Sequence, residues 1–235
     1  MPAIQLVVPR ARRISDALLM VVSALIGLSL VGQFSKYVLG HPKLKGFVPT
    51  FYVDLESTVP TWYSSIALGL TGALLGLIAA AKFKTSDKFR WHWALLCGLF
   101  FFLSMDEIAG IHELLVDPLR EALNAGGLLH YTWVIPGAAT VVIVGCLYLR
   151  FFLNLPRRTQ GWFFLAATLF VGGAIGVEML SGANADLLGE ENLDYALIVT
   201  IEEFLEMLGI VVFIRGILDY IEGQLGELQF RFTDN

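Results

Sequence analysis

The chain has 235 residues, a formal net charge of −5, 56% hydrophobic residues and 16% charged residues, and its mean hydropathy is +0.69. A soluble domain needs about 25% charged residues to solvate its surface. The composition therefore excludes an ordinary water-soluble protein, and we expect an integral membrane protein. Both cysteines, Cys97 and Cys146, lie inside apolar stretches, which is typical of buried thiols and not of a disulfide or a metal-binding pair.

Six apolar stretches are long enough to cross a membrane, because the hydrocarbon core needs about 20 residues of helix. The first follows Arg12-Arg13 and looks like a signal peptide, but it is long for one and lacks a small-x-small cleavage site, so we expect a retained helix. The sequence predicts an all-α bundle of six transmembrane helices, in one domain over residues 1–235. The predicted spans are 17–37, 62–82, 92–114, 131–153, 162–181 and 195–218.

The charges between the spans are segregated by side. Lys and Arg are retained in the cytoplasm during insertion, so the basic segments predict that both termini are cytoplasmic and that the acidic loops are extracytoplasmic. The basic residues are Arg10, Arg12, Arg13, Lys82, Lys84, Lys88, Arg90, Arg150, Arg157, Arg158 and Arg215. The acidic loop residues are Asp54, Glu56, Asp117, Glu121, Asp186, Glu190, Glu191 and Asp194.

Two pairs of glycines have the small-xxx-small spacing of close helix contacts. Gly72 and Gly76 lie in the second predicted span, and Gly172 and Gly176 lie in the fifth. This spacing lets two backbones approach where lipid supplies no hydrophobic drive. We expect these two helices to pack centrally, although glycine is also common in membrane helices generally.

Acidic side chains inside the spans are the most unusual feature of the sequence. Each ionisable residue costs about 3 kcal/mol on insertion scales, so such residues mark function or a buried network. With the predicted orientation, Glu202 and Glu206 lie about 10 and 16 Å along the sixth helix, and all the acidic segments share one leaflet. The residues are Asp106, Glu107, His112 and Glu113 in the third span, Glu178 in the fifth, and Glu202, Glu203 and Glu206 in the sixth.

Helical spacing predicts which of these side chains meet. Asp106, Gly110 and Glu113 share one face of a continuous third helix, with Glu107 and His112 flanking that face on opposite sides. On the sixth helix Glu202 and Glu206 are stacked neighbours, and Glu203 lies one residue round.

Several buried carboxylates in a low dielectric need neutralisation by protons, a bound cation or basic side chains. Carboxylates with one or two imidazoles suit a divalent ion such as Zn, Fe, Mn or Mg, and a proton relay is the alternative. The di-iron pattern fails, because Glu203-x-x-Glu206 has no Glu-x-x-His partner. We expect no haem, since no two histidines are placed as axial ligands.

The predicted site is an extracytoplasmic-side cation site, and its catalytic residues, if any, stay undefined. Glu56 and Glu107 are further candidates, although an ordinary loop position is favoured for Glu56 over a cap of the second helix or a place in the cluster. The alternative is a purely structural hydrogen-bond network from the sixth helix to Tyr63, Ser64, Ser65 or His130. The predicted metal or proton ligands are Asp106, Glu113, Glu178, Glu202, Glu203 and Glu206, with His112 or His130.

Three segments resemble those of a group of small bacterial multi-pass membrane proteins: Pro60–Ser65, Ser104–Glu113 and Glu202–Gly209. The resemblance covers most of the chain and implies no activity. The sequence is unlike the seven-helix ceramidase and progestin-receptor-like hydrolases, because it lacks their Ser-x-x-x-His and second histidine pair.

Three classes of function fit these expectations. The site can belong to a metal-dependent enzyme acting on a lipid-soluble substrate, to a proton- or cation-coupled transporter or channel component, or to a structural subunit of a larger complex. The expected partners are the lipid bilayer and a homo-oligomer or membrane complex, and not nucleic acid. The expected location is the cell membrane, which is the inner membrane in a bacterium.

Overall fold

The computed structural model describes residues 4–5, 11–225 and 229–230, and these form an all-α fold apart from one two-residue strand pair. Strand β1 (Ile4–Gln5) pairs with β2 (Gln229–Phe230) in antiparallel register. A π-helix covers Gly172–Val177. The helices are α1 (Ala11–Tyr37), α2 (Phe47–Phe51), α3 (Val59–Lys84), α4 (Arg90–Ala109), α5 (Val116–Leu123), α6 (Val134–Leu153), α7 (Arg157–Val171), α8 (Glu178–Leu188) and α9 (Leu193–Gln224). Short 3-10 turns cover Leu44–Gly46, His112–Leu115 and Gly127–Leu129.

Five helices of the described chain are long and apolar enough to cross a membrane, which indicates a membrane-embedded protein. They correspond to the first five predicted spans. The predicted sixth span lies inside α9, but its composition differs, because any 18 consecutive residues of α9 include at least three charged ones. The five helices are Ala11–Tyr37, Val59–Lys84, Arg90–Ala109, Val134–Leu153 and Arg157–Leu188.

The ends of two helices differ from the prediction. Helix α4 stops at Ala109, five residues before the predicted end of the third span, because Gly110 adopts a left-handed conformation with φ 54°. Glycine accepts this conformation without the steric cost that a Cβ would add. The fifth apolar helix runs over Arg157–Leu188 and is longer than predicted, since it begins directly after Pro156 and ends at Gly189.

Helix α9 is the central helix of the bundle. Its apolar side chains join three buried clusters, which include Ile217, Ile214 and Met207. At Gly209 and Gly216 the α7 backbone and Trp162 approach so closely that an added Cβ would lie 2.8 and 2.7 Å from them. The helix with the most acidic residues therefore packs against its neighbours along much of its length, which suits the high cost of exposing charge to an apolar environment.

The two predicted glycine pairs behave differently. Gly72 and Gly76 face α4, where an added Cβ would lie 3.2 Å from Phe101 and from Cys97 respectively, so the second span does use its small residues for packing. The fifth apolar helix also packs closely on α9, but not through Gly172 and Gly176, because nothing lies within 4 Å of either position. The π-helix adds an extra residue to the turn and rotates Gly173 into the interface instead.

Side-chain contacts group the helix ends into two sets, which we call the basic end and the acidic end. At the basic end, Arg158 of α7 pairs with Asp219 of α9 at 2.9 Å, and Lys88 donates to Asn154 at 3.0 Å. At the acidic end, Lys36 of α1 pairs with Glu191 at 2.7 Å. Long helices therefore run from one end to the other, and the loops of each end lie together.

Candidate functional site

The centre of the site is a pair of carboxyl groups that belong to different helices. Glu178 and Glu202 lie within hydrogen-bonding range of each other. The indole N–H of Trp133 donates to Glu178 Oε1 at 2.8 Å, and the hydroxyl of Ser181 donates to Glu202 Oε2 at 3.1 Å. Glu202 is buried, with 8% of its surface exposed, so both donors hold the pair inside the bundle.

The π-helix sets the position of this pair. An added Cβ at Gly173 would lie 2.8 Å from the Glu202 carbonyl oxygen and 3.0 Å from Glu206 Cγ, so the two backbones touch here. Glu178 is the first residue after the π-helix and faces the same turn of α9. π-Helical turns are rare and occur mainly at functional sites.

A second carboxyl group of α9 and one of α4 extend the cluster. Glu203 and Glu206 are half-buried, and Glu107 lies close enough to both for their charges to interact. Glu107 was predicted only as a further candidate, and the structure brings it into the cluster. These three groups and Glu178 also interact through their charges, which makes one continuous acidic region across α4, α8 and α9.

Asp106 binds the segment that follows the end of α4. Its carboxylate accepts the backbone N–H of His112 at 2.9 Å and contacts the His112 Nδ1 at 2.9 Å. The His112 ring packs on Trp133, with ring centroids 4.7 Å apart. Burial lowers the pKa of His112, but the Asp106 carboxylate outweighs burial and raises it. Asp106 and His112 therefore form an ion pair that touches the Trp133 donor of the central pair.

The prediction that Asp106, Gly110 and Glu113 share one helix face is wrong, because the helix ends before Gly110. Glu113 instead lies on the 3-10 turn His112–Leu115, and Glu56 reaches across from its loop. An added Cβ on Gly110 would lie 2.6 Å from Glu56 Oε1 and 3.5 Å from the Glu113 carboxyl carbon. Burial and the charge of Glu56 raise the pKa of Glu113. These two carboxylates form the rim of the site.

On the other side of the site, the hydroxyl groups of two tyrosines connect Asp54 to Glu190 and form a second rim. Tyr195 donates to Asp54 Oδ1 at 3.3 Å, Tyr131 and Tyr195 are 2.9 Å apart, and Tyr131 donates to Glu190 Oε1 at 2.8 Å. Burial and the charge of Glu190 raise the pKa of Asp54 to about 7. Asp54 also lies close enough to Glu203 for their charges to interact, although the described contacts include no hydrogen bond between them.

The proton count of that chain is informative. Each phenol supplies one hydrogen-bond proton, whereas the chain contains three contacts. With Asp54 ionised, one of the three contacts has no proton. A protonated Asp54 can donate to Tyr195, which donates to Tyr131, which donates to Glu190, and every contact is then satisfied. The geometry fits a chain that gains one proton.

His130 lies apart from the carboxyl cluster. Its Nδ1 contacts Asp186 at 3.2 Å, and its carbonyl oxygen accepts from Arg120. His130 lies in the loop before α6, at the acidic end. The prediction that His130 joins the cluster is therefore not supported by its contacts.

The described contacts include no hydrogen bond from the α9 glutamates to Tyr63, Ser64, Ser65 or His130, which a purely structural network would use. Ser65 and Ser104 donate to each other's carbonyl oxygens at 2.7 and 2.8 Å and join α3 to α4. Tyr63 donates to the Leu18 carbonyl oxygen at 3.3 Å. Thr58, and not Glu56, caps α3 by accepting from Thr61. The glutamates of α9 therefore depend on other neighbours.

The carboxyl groups are neighbours without converging on one point. Within residues 11–225, no group of three or more His, Cys, Asp or Glu side chains is arranged to hold a metal ion. The predicted ligand set is instead spread over the central pair, the Glu107–Glu203–Glu206 region and the two rims. What the arrangement can do directly is share and pass protons.

Sequence reasoning missed the uncharged partners of the site. Trp133, Ser181, Tyr131 and Tyr195 supply its donors, and Asp54 was predicted only as a loop charge. Aromatic residues at helix ends normally indicate membrane interfaces, so their sequence pattern gives no sign of this role. A tyrosine directly after Glu190-Glu191-Asn192-Leu193-Asp194 is not distinctive by itself.

A model of one protein family matches residues 9–221. The chain belongs to the family described as Domain of unknown function (DUF8692). No curated protein and no solved structure matches the chain. The family match includes every residue of the carboxyl cluster and both of its rims, while its description assigns no activity. The function must therefore be argued from the site.

Proposed function

We propose that the protein binds protons at a carboxyl site inside the membrane and exchanges them with one membrane face. The observation that carries the proposal is the contact between Glu178 and Glu202. Glu202 is buried and Glu178 is half-buried, and two carboxylates in contact away from water repel each other strongly when both are ionised, so a shared proton removes that repulsion. The Asp54–Tyr195–Tyr131–Glu190 chain then provides a route for protons to the acidic end.

The proposal includes α9 as a sixth span. Its supporting evidence is that α9 runs antiparallel to α1, an apolar helix long enough to cross the membrane, along the whole length of α1. Contacts at both ends and between them pair the two helices. In order along α1 they are Ala11 with Glu222 at 2.8 Å, Ser15 with Arg215 at 3.4 Å, Gln33 with Thr200 at 2.6 Å and Lys36 with Glu191 at 2.7 Å.

Six spans place both termini on one side, and the positive-inside rule makes the basic end cytoplasmic. The acidic end and the rims of the site then face the extracytoplasmic side of the cell membrane. The part of α9 beyond the cluster contains Arg215, which contacts Ser15 and lies 5.8 Å from the Trp162 ring centroid. A cation there opposes proton passage toward the basic end, so the site is open to one face.

A hydrophobic carbodiimide tests the proposal, because this reagent dissolves in membranes and modifies protonated carboxyl groups. We expect it to modify the segment that carries Glu202, Glu203 and Glu206 faster at acidic than at alkaline pH, measured by peptide mass spectrometry. A Glu202→Gln variant should lose most of the modification, and Glu121→Gln, which changes an exposed carboxylate, should keep it. Equal modification at all pH values would contradict the proposal.

Metal analysis separates the proton site from the metal site that the sequence also allows. We expect purified protein and a Glu203→Gln/Glu206→Gln variant to contain equally little Zn, Fe, Mn and Mg. A stoichiometric metal in the native protein that disappears in the variant would replace the proton proposal with a metal-dependent one. Proton flux into liposomes is a further check, since a site open to one face predicts no flux above that of protein-free liposomes.

A further inference from the structure

A cavity of about 340 Å³ lies at the basic end, away from the carboxyl cluster. The end of α3, the start of α4, the α6–α7 turn and the end of α9 meet around it. Lys82 and Lys88 lie in its wall, and Trp93, Phe151 and Tyr220 form its buried floor. The cavity thus combines cationic groups with an aromatic base at the level where a membrane helix meets water.

The wall of the cavity has an excess of positive charge. Asp87 is already engaged, because its Oδ2 pairs with Lys82 at 3.2 Å and its Oδ1 accepts the Phe89 N–H at 2.7 Å. Burial raises the pKa of Asp87, but the Phe89 N–H and the Lys82 ammonium outweigh burial and lower it. Asp87 therefore stays ionised and balances one lysine of the two.

The second lysine of the wall has a neutral partner. Lys88 donates to the Asn154 amide oxygen at 3.0 Å, and among the ion pairs of residues 11–225 it has no carboxylate partner. Lys88 is exposed at the mouth of the cavity. An ammonium group fixed by an uncharged amide leaves two of its three donors for an anion.

We propose that this cavity binds the phosphate group of an anionic phospholipid. The apolar part of the lining favours a lipid over free phosphate, because the half-buried Phe89 and Pro156 gain nothing from a fully hydrated ion, whereas they can pack against the glycerol backbone. Basic pockets between membrane helices on the cytoplasmic side bind anionic headgroups in this way. The volume holds a headgroup and leaves the acyl chains in the bilayer.

Thermal unfolding in detergent, with lipid titrated in, tests this inference. We expect phosphatidylglycerol to raise the Tm more than phosphatidylcholine does. Lys88→Gln should weaken the apparent affinity for phosphatidylglycerol about fivefold, the factor that corresponds to one lysine near an anionic surface. Lys84→Gln is the matched control, because Lys84 is exposed at the end of α3, four residues before Lys88, but does not line the cavity.

Three outcomes would overturn the inference. Equal Tm shifts from phosphatidylglycerol and phosphatidylcholine would show that the charge of the headgroup is not recognised. Equal weakening by Lys84→Gln and Lys88→Gln would indicate a diffuse surface effect in place of a cavity. A full Tm shift from inorganic phosphate alone would replace the lipid with the free ion.

Discussion

The pair of Asp106 and His112 joins the end of α4 to the edge of the carboxyl cluster, and its contacts predict a defined pH dependence. The pKa of His112 is raised by Asp106 after the opposing effect of burial, so the folded protein binds the imidazolium proton more tightly than the unfolded chain does. The resulting stability is fully present below pH about 6.5, the ordinary histidine pKa, and is lost as the pH rises through the raised value.

Two variants of Asp106 separate charge from hydrogen bonding. Asp106→Asn keeps an acceptor for the His112 N–H and should flatten the pH dependence of the Tm above pH about 6.5. Asp106→Ala leaves that donor unpaired and should lower the free energy of unfolding by about 1–3 kcal/mol. Thermal unfolding at a series of pH values measures both. An Asp106→Asn protein with the native pH profile would contradict the ion pair.

Asp54 gives a second prediction at the residue scale. Its pKa is raised from 3.8 to about 7 by burial and by Glu190, so protonated Asp54 favours the folded state. The contribution to stability is present below pH 3.8 and is lost as the pH rises through about 7. Asp54→Asn should remove this loss. Asp194→Asn, at an exposed acid beside Tyr195, is the control and should keep the native profile.

At the scale of elements, the π-helix is the feature that determines which groups meet. Gly173→Ala forces a Cβ to within 2.8 Å of the Glu202 carbonyl oxygen, which is backbone and has little room to move. We expect this variant to lose about 1–3 kcal/mol of unfolding free energy, as overpacked cores do. Gly172→Ala and Gly176→Ala face open space and should change it by less than about 0.5 kcal/mol.

Thermal unfolding of the three glycine variants distinguishes two origins of the lost stability. If Gly172→Ala or Gly176→Ala were as destabilising as Gly173→Ala, the cost would come from the helix backbone and not from the contact with α9. We expect Gly173→Ala to be the only one of the three variants that lowers the free energy of unfolding by more than about 0.5 kcal/mol. Because Glu178 follows the π-helix directly, Gly173→Ala should also slow carbodiimide modification of the α9 segment.

The sequence predicts the long helices well and their interruptions poorly. Hydropathy over about 20 residues locates α1, α3, α4, α6 and the helix Arg157–Leu188, because each must satisfy its own backbone in lipid. It cannot show that Gly110 turns left-handed or that the π-helix rotates Gly173 inward, since both depend on neighbouring helices. The acidic residues of the cluster are visible in the sequence as charges inside apolar stretches. Its tyrosine, tryptophan and serine donors are not, because their role depends on neighbouring helices.

At the scale of the whole molecule, the antiparallel pairing of α1 with α9 predicts an even number of crossings. A reporter domain fused to either terminus should therefore be found on the cytoplasmic side. Reporters placed in the 38–46 loop and near Glu190, both at the acidic end, should be extracytoplasmic. If the two terminal fusions were found on opposite sides, α9 would not be a span, and the carboxyl cluster would not lie within the membrane.

The central claim is that the carboxyl cluster holds a proton inside the membrane, and infrared spectroscopy of reconstituted protein tests it most directly. Protonated carboxyl groups have a carbonyl stretching band that carboxylates lack, and exchange into deuterium oxide shifts it. We predict this band at neutral pH in the native protein and in Glu121→Gln, and a loss of intensity in Glu202→Gln. A native protein without the band, or a band unchanged in both Glu178→Gln and Glu202→Gln, would contradict the account.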